Sequence, residues 1–219
     1  RRSPGVKKYV HIVHAVGDIH TYKFYSFDYY DAVFCSGPGQ AESLRRLEEL
    51  RGTSHKDLPL LGCPYLDVYA ARAEQVGVPE PRTILIAPTW GRNGLLTRTG
   101  SLVPKLLASA GYHVILRPHP QSFISDREVM ERVAADLQTC KNVEWDRNPD
   151  GFSSLSRASL MVSDVSGVIF DFAFVFLRPV ISVGNGPLKE GFEAWEIPHE
   201  AWEMKALDQI GRRRSEERR

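Results

Sequence analysis

Between residues 83 and 183 short apolar, β-rich runs alternate with segments of helical spacing, and few architectures accept that rhythm. Strands are expected over 83–87, 112–116, 142–145, 160–162 and 179–183. Helices are expected over 102–110, 126–137, 150–157 and directly after Gly167, with Ser125 as the cap of the second. Continuous runs such as Thr83-Ile-Leu-Ile-Ala87 suit strands covered on both faces, and strand–helix alternation gives a parallel, doubly wound sheet.

Open sheets of this kind hold their ligands at the carboxyl ends of the strands. Three loops there carry Thr89 with Arg92, Arg117 with His119, and Ser163, Asp164 and Ser166. The stretch Leu160-Met-Val-Ser-Asp-Val-Ser-Gly-Val-Ile-Phe-Asp-Phe172 reads as strand, tight turn and helix. Ser166 is placed to cap that helix, Gly167 lets the backbone approach a ligand, and the first free N–H groups favour a phosphate. Arg117 offers a planar fork to phosphate oxygens, and His119, set between Pro118 and Pro120, presents its imidazole with little conformational freedom. Together they outline a polyphosphate site. Two plainer readings fit the same residues: an ordinary capped strand–helix turn, and an edge turn whose arginine pairs with a carboxylate.

The remainder of the chain is less regular. Its 219 residues, 42% hydrophobic and 25% charged, suffice for one large domain or two small ones. Gly77-Val-Pro-Glu-Pro81 is the natural linker, which divides the chain into residues 1–78 and 79–219. Before it, strands are expected over 9–16, 31–36 and 58–61, and helices over 40–51, on Leu44, Leu47 and Leu50, and over 66–76. The first strand starts abruptly, so the N-terminal domain is expected to be cut short. His11, His14, Asp18 and His20 are metal-ligand types, but on a strand His11 and His14 face opposite sides, and no metal or cofactor is expected. Twenty-eight Lys and Arg against 27 Asp and Glu give a net charge of +1, which argues against a nucleic-acid partner. Cys35, Cys63 and Cys140 show no metal-like spacing and suit a reducing compartment, so a cytoplasmic place is expected. No apolar run reaches the ~20 residues of a membrane helix, which leaves the inner membrane face as a peripheral contact. The basic tail, 212–219, is expected to be solvated.

Arg117-Pro-His-Pro120, then Ser163-Asp-Val-Ser-Gly-Val-Ile-Phe-Asp-Phe172 and Arg178-Pro179, resemble the CDP-glycerol glycerophosphotransferase family of teichoic-acid and capsule polymer synthesis. Phe27-Asp-Tyr-Tyr-Asp-Ala-Val33, Gly62-Cys-Pro-Tyr65 and Ile84-Leu-Ile-Ala-Pro-Thr89 fall in the order the family uses. The resemblance implies an α/β, GT-B-like architecture of two Rossmann-like, doubly wound domains, with the donor held mainly by the C-terminal one. It implies that Arg117, His119, Ser163, Asp164 and Ser166 hold the donor pyrophosphate, to which the loop reading adds Gly167 and Thr89. It also implies that the region of Asn142, Trp145 and Asp150 receives the nucleotide base. The family's early general-base histidine, in a Trp-His-Gly-Thr-like turn, matches His14 in Val13-His-Ala-Val-Gly17, where Ala15 and Val16 replace the small pair and no tryptophan precedes; His20 is the rival.

The activity implied is transfer of a phospho-alditol from CDP-glycerol or a similar donor to a polymer or lipid-linked acceptor hydroxyl, with His14 and His119 catalytic. A GT-B glycosyltransferase or nucleotide-sugar 2-epimerase using a UDP-sugar would share the same donor pocket. A non-catalytic nucleotide-binding module would share it too.

Overall fold

The computed structural model describes residues 3–184 and 189–214, with side chains to residue 212. It forms two compact units, one of Arg1–Asp67 with Pro187–Ala206, the other of Val68–Gly186 with Leu207–Arg219. The expected linker therefore lies inside the second unit, and a segment from the far end of the sequence completes the first.

In the first unit β1 (Val10–Ile12) pairs in parallel with β2 (Ala32–Phe34). Beyond β2 the expected strand over 58–61 is reduced to isolated bridges, with Val33 N–H donating to Asp57 O and Cys35 N–H to Pro59 O, both at 2.9 Å. Helix α1 (Pro38–Arg51) opens on a proline, whose missing N–H costs nothing in a first turn, and stops at Gly52, held at φ 60°. Leu44 and Leu47 enter a core with Val13, Ile19, Phe27, Val33, Cys35 and Ile197, whereas Leu50 is exposed. The returning segment is fixed by charge: Arg51 reaches Asp28 at 2.7 Å and Glu196 at 2.6 Å, and also pairs with the fully buried Glu193. Helix α2 (Pro64–Ala73) leads from this unit into the next.

The second unit is a six-stranded, wholly parallel sheet in the order β5-β4-β3-β6-β7-β8. Its elements in chain order are β3 (Thr83–Ile86), α3 (Leu95–Thr99), α4 (Leu102–Ser109), β4 (His113–Leu116), α5 (Ser122–Ser125), α6 (Arg127–Leu137), β5 (Val143–Trp145), α7 (Phe152–Arg157), β6 (Leu160–Ser163), α8 (Val168–Phe176), β7 (Val180–Val183) and β8 (Gly211–Arg214); α9 (Trp202–Ile210), which precedes β8, begins in the segment assigned to the first unit. The strand-by-strand expectation over 83–183 holds, most plainly where a run is buried on both faces: every residue of β3 is buried, as are Val114, Ile115 and Leu116 of β4, whereas β5 is half-buried and β7 alternates. The α/β architecture with parallel sheets is the expected one. Ser125 does not cap α6, being the last residue of α5. The basic tail is not all solvated, since Gly211–Arg214 extends the sheet beside β7; residues 215–219 lie outside the described part.

Candidate functional site

The strand order reverses between β3 and β6, which are neighbours in space although two strands intervene in sequence. A crevice opens at such a switch point, at the carboxyl ends of the strands. The loops after β3 and β6 flank it, and they are locked together by Asp164. Its carboxylate, 2% exposed, accepts the N–H groups of Thr89 at 2.9 Å and Leu95 at 2.7 Å. Burial pushes the Asp164 carboxyl up against the opposing pull of those bonds. Ser163 donates its hydroxyl to Ala87 O at 2.6 Å, and Ser182 donates to Asp164 O at 3.3 Å. Gly94 is obligatory here, because a Cβ would stand 2.7 Å from Thr89 O. Ser163, Asp164 and the Thr89 N–H thus spend their polar groups on the protein itself.

What remains open at the crevice is the start of α8. Gly167, not Ser166, is its N-cap, and no side chain caps the helix. The first amide bonds are Ile169 N–H to Ser166 O at 3.1 Å and Phe170 N–H to Gly167 O at 3.0 Å, so among the described residues the N–H groups of Ser166, Gly167 and Val168 have no acceptor. A side chain at Gly167 would meet only open space. The positive end of a nine-residue helix therefore stands uncapped beside the switch point.

His119 follows β4, next along the sheet. Its Nδ1 accepts the Gln121 N–H at 3.1 Å, which leaves the proton of a neutral ring on Nε2. Burial lowers its pKa, so the ring is neutral at pH 7 and still a donor. Trp90 lies alongside, ring centroids 6.3 Å apart; its role was not legible in the loop sequence.

Arg117 takes the plainer of its two readings. It donates to Asp146 at 2.7 Å, to Asn148 O at 2.8 Å and to Pro149 O at 3.3 Å, pinning the loop after β5 over the end of β4. Its planar fork serves a carboxylate and two carbonyls. Asp146 is held low despite burial by the hydroxyl of Ser154, the Asn148 N–H and Arg117. The three residues expected near a nucleotide base separate. Trp145 ends β5 and Asp150 ends the same loop, accepting from Tyr69 Oη, Arg72 and the Phe152 N–H. Asn142 precedes β5, at the opposite edge of the sheet, where its amide donates to Ala108 O and Tyr112 O.

In the first unit His14 is exposed just beyond β1, with Tyr22 Oη 3.4 Å from its Nδ1. His20 is 4% exposed, its Nε2 3.1 Å from His199 O and its Nδ1 3.5 Å from Asp18. Its Nε2 is engaged by the His199 carbonyl, its Nδ1 is buried with no hydrogen bond beyond the approach to Asp18, and the ring is closed to solvent.

No protein-family model and no curated protein matches the sequence. Among solved structures the wall teichoic acid polymerase TagF matches over 80% of this chain and 48% of its own, at 18% identity and a TM-score of 0.50. The fold is like that of TagF. The same polymerase, in a histidine-to-asparagine variant soaked with CDPG, matches over 70% of this chain and 38% of its own, at 22% identity and a TM-score of 0.46. The resemblance to the CDP-glycerol glycerophosphotransferases holds at the level of fold, and the chain spans less than half the length of the TagF chains it matches. Among the described residues no helix is long and apolar enough to cross a membrane.

Proposed function

We propose that this chain belongs to a transferase that moves a phospho-alditol from a CDP-activated donor, CDP-glycerol or a relative, to an acceptor hydroxyl on a polymer or lipid. The observation that supports this reading is the uncapped start of α8 at the switch point of a parallel sheet, with the neutral donor His119 one strand further along. Fixed N–H donors and a helix dipole suit a diphosphate. Around them Ser163, Asp164, Thr89 and Arg117 hold the loops in place rather than contact the donor.

In this scheme a base, the role that the resemblance gives His14, removes the proton of the acceptor hydroxyl, whose oxygen attacks the phosphorus that carries the alditol. The bond from that phosphorus to the bridging oxygen breaks, and CMP departs with the electron pair on its phosphate. His119 Nε2–H and the amides of Ser166, Gly167 and Val168 take up the charge that gathers there. Such an enzyme works in the cytoplasm, against the inner face of the membrane.

Calorimetric titration with CDP-glycerol, with CDP-ribitol and UDP-sugars as competitors, tests the reading. CDP-alditol binding is expected to weaken about tenfold in His119→Ala, the worth of one hydrogen bond to a charged group. His14→Ala is expected to retain binding while turnover falls by a factor of about 10² or more. Selective UDP-sugar binding would favour a glycosyltransferase or epimerase, binding without turnover a non-catalytic module, and no nucleotide binding would sink the donor site.

A further inference from the structure

The loop after β3, residues 88–94, is tied down on both sides of its aromatic side chain. The Thr89 N–H donates to Asp164 at 2.9 Å, and the Gly91 N–H donates to the carboxylate of Asp126, just before α6, at 2.7 Å. The Gly94 N–H closes the loop on Gly91 O at 2.9 Å, and Gly91 itself turns at φ 84°, where glycine is favoured. Trp90 stands between the two anchored amides and is 43% exposed. A half-exposed indole adds little to a core. What it stands beside is His119, with ring centroids 6.3 Å apart and planes inclined by 35°.

His119 is itself exposed, yet its pKa is lowered, and the cause is burial rather than a neighbouring charge. Of the charged groups on the elements around it, Arg117 is spent on Asp146, Asp126 on the Gly91 N–H, Arg147 lies over Phe123, and Arg92 is exposed. Something must therefore keep water from part of an exposed ring, and among Pro118, Pro120, Gln121 and Trp90 the indole is the broadest. An aromatic ring also attracts a cation, which would raise the pKa, but that needs the charge over the ring face within about 6 Å of its centre. At 6.3 Å and a tilt of 35° the imidazole stands past that reach, and exclusion of water wins, in agreement with the lowered value. This inference rests on the donor-site reading above and names what holds its neutral donor. We infer that Trp90 is a positioning residue: it screens one side of His119, so that the ring stands in one place as a neutral Nε2–H donor. Asp164 and Asp126 act through it, by fixing its loop to β6 on one side and to the start of α6 on the other.

The test begins with the free protein. NMR titration of His119 is expected to give a value below 6.5 in the wild type and in Trp90→Phe, which keeps an aromatic wall, and a value moved up toward 6.5 in Trp90→Ala. A loss of packing alone would lower stability without moving that titration. CDP-glycerol affinity is then measured at about pH 8, where the ring is neutral in every variant, each protein first compared in thermal unfolding. Trp90→Ala should weaken binding about threefold or more, part of the roughly tenfold worth of the His119 hydrogen bond. In a His119→Ala background the same change should cost nothing further, because it acts through that ring. A His119 titration that stays put or moves down in Trp90→Ala overturns the inference, as does unchanged affinity. So does an equal loss in both backgrounds, which would put the indole on the ligand itself. A wild type that binds no CDP-glycerol would overturn the donor-site reading instead, and the titration, which needs no ligand, would still decide whether Trp90 governs His119.

Discussion

Both units bury carboxylates, but to different ends. In the second unit Asp164 turns inward to two backbone N–H groups, and its work is to fix the shape of the loops that flank the switch point. In the first unit Glu193 pairs with Arg51 and Asp18 lies against His20, and their work is to hold a returning segment in place, while Glu203 accepts the Asp18 N–H. A buried carboxylate held by amides shapes a ligand site without carrying net charge into it through a partner cation. One held by cations fastens distant parts of the sequence, and it fails when either partner is removed. The crevice is thereby left with neutral donors, His119 and the amides at the start of α8, which suits an anionic ligand.

The sharpest way to break this contrast is to remove the cation from the first unit. Arg51 is 8% exposed at its side chain and touches Asp28, Glu193 and Glu196, while Glu193 is fully buried. Arg51→Ala leaves Glu193 with the Ser26 N–H and no cation, and is expected to cost about 3–5 kcal/mol in denaturant unfolding. A loss below ~1 kcal/mol, the range of exposed pairs, would show that the cluster is solvated and the contrast false.

Asp164→Ala comes next. It strands the amides of Thr89 and Leu95, one of them buried, for an expected cost of about 2–3 kcal/mol, and frees the loop that carries Trp90. Stability and nucleotide affinity should fall together. A variant that loses affinity at unchanged stability would show Asp164 touching the ligand directly.

The regular part of the fold was legible because it is doubly covered: in β3 and β4 apolarity alone marks the strand. Elements that lack that cover were missed. Helix α3, only five residues, forms where Asp164 takes the Leu95 N–H from a distance of 69 residues in sequence, and β8, Gly-Arg-Arg-Arg, pairs through its backbone with no apolar pattern to announce it. The candidate site was legible as a set of loops but not as a division of labour. Sequence shows that Arg117 and Ser163 stand near a crevice; it cannot show that Asp146 and the Ala87 carbonyl claim them first.

The finest test of the contrast is acid–base. Burial alone would lower the pKa of His20, but the hydrogen bond and charge of Asp18, the carbonyl of His199 and the charge of Glu203 carry it above 6.5. The imidazolium is therefore the form the folded first unit prefers, and its contribution to stability is complete below pH 6.5 and lost as pH rises through the folded value. Glu203, raised by burial and by Asp18, has the same sign, but its loss begins lower, from the ordinary 4.5. Unfolding free energy of the wild type should decline on the alkaline side of pH 6.5, by no more than about 1.4 kcal/mol per pH unit for one proton. His20→Gln should flatten that decline and leave the acid side as it was. Were the decline to persist unchanged in His20→Gln, the proton would belong elsewhere, and the segment would be held by Arg51 rather than by His20.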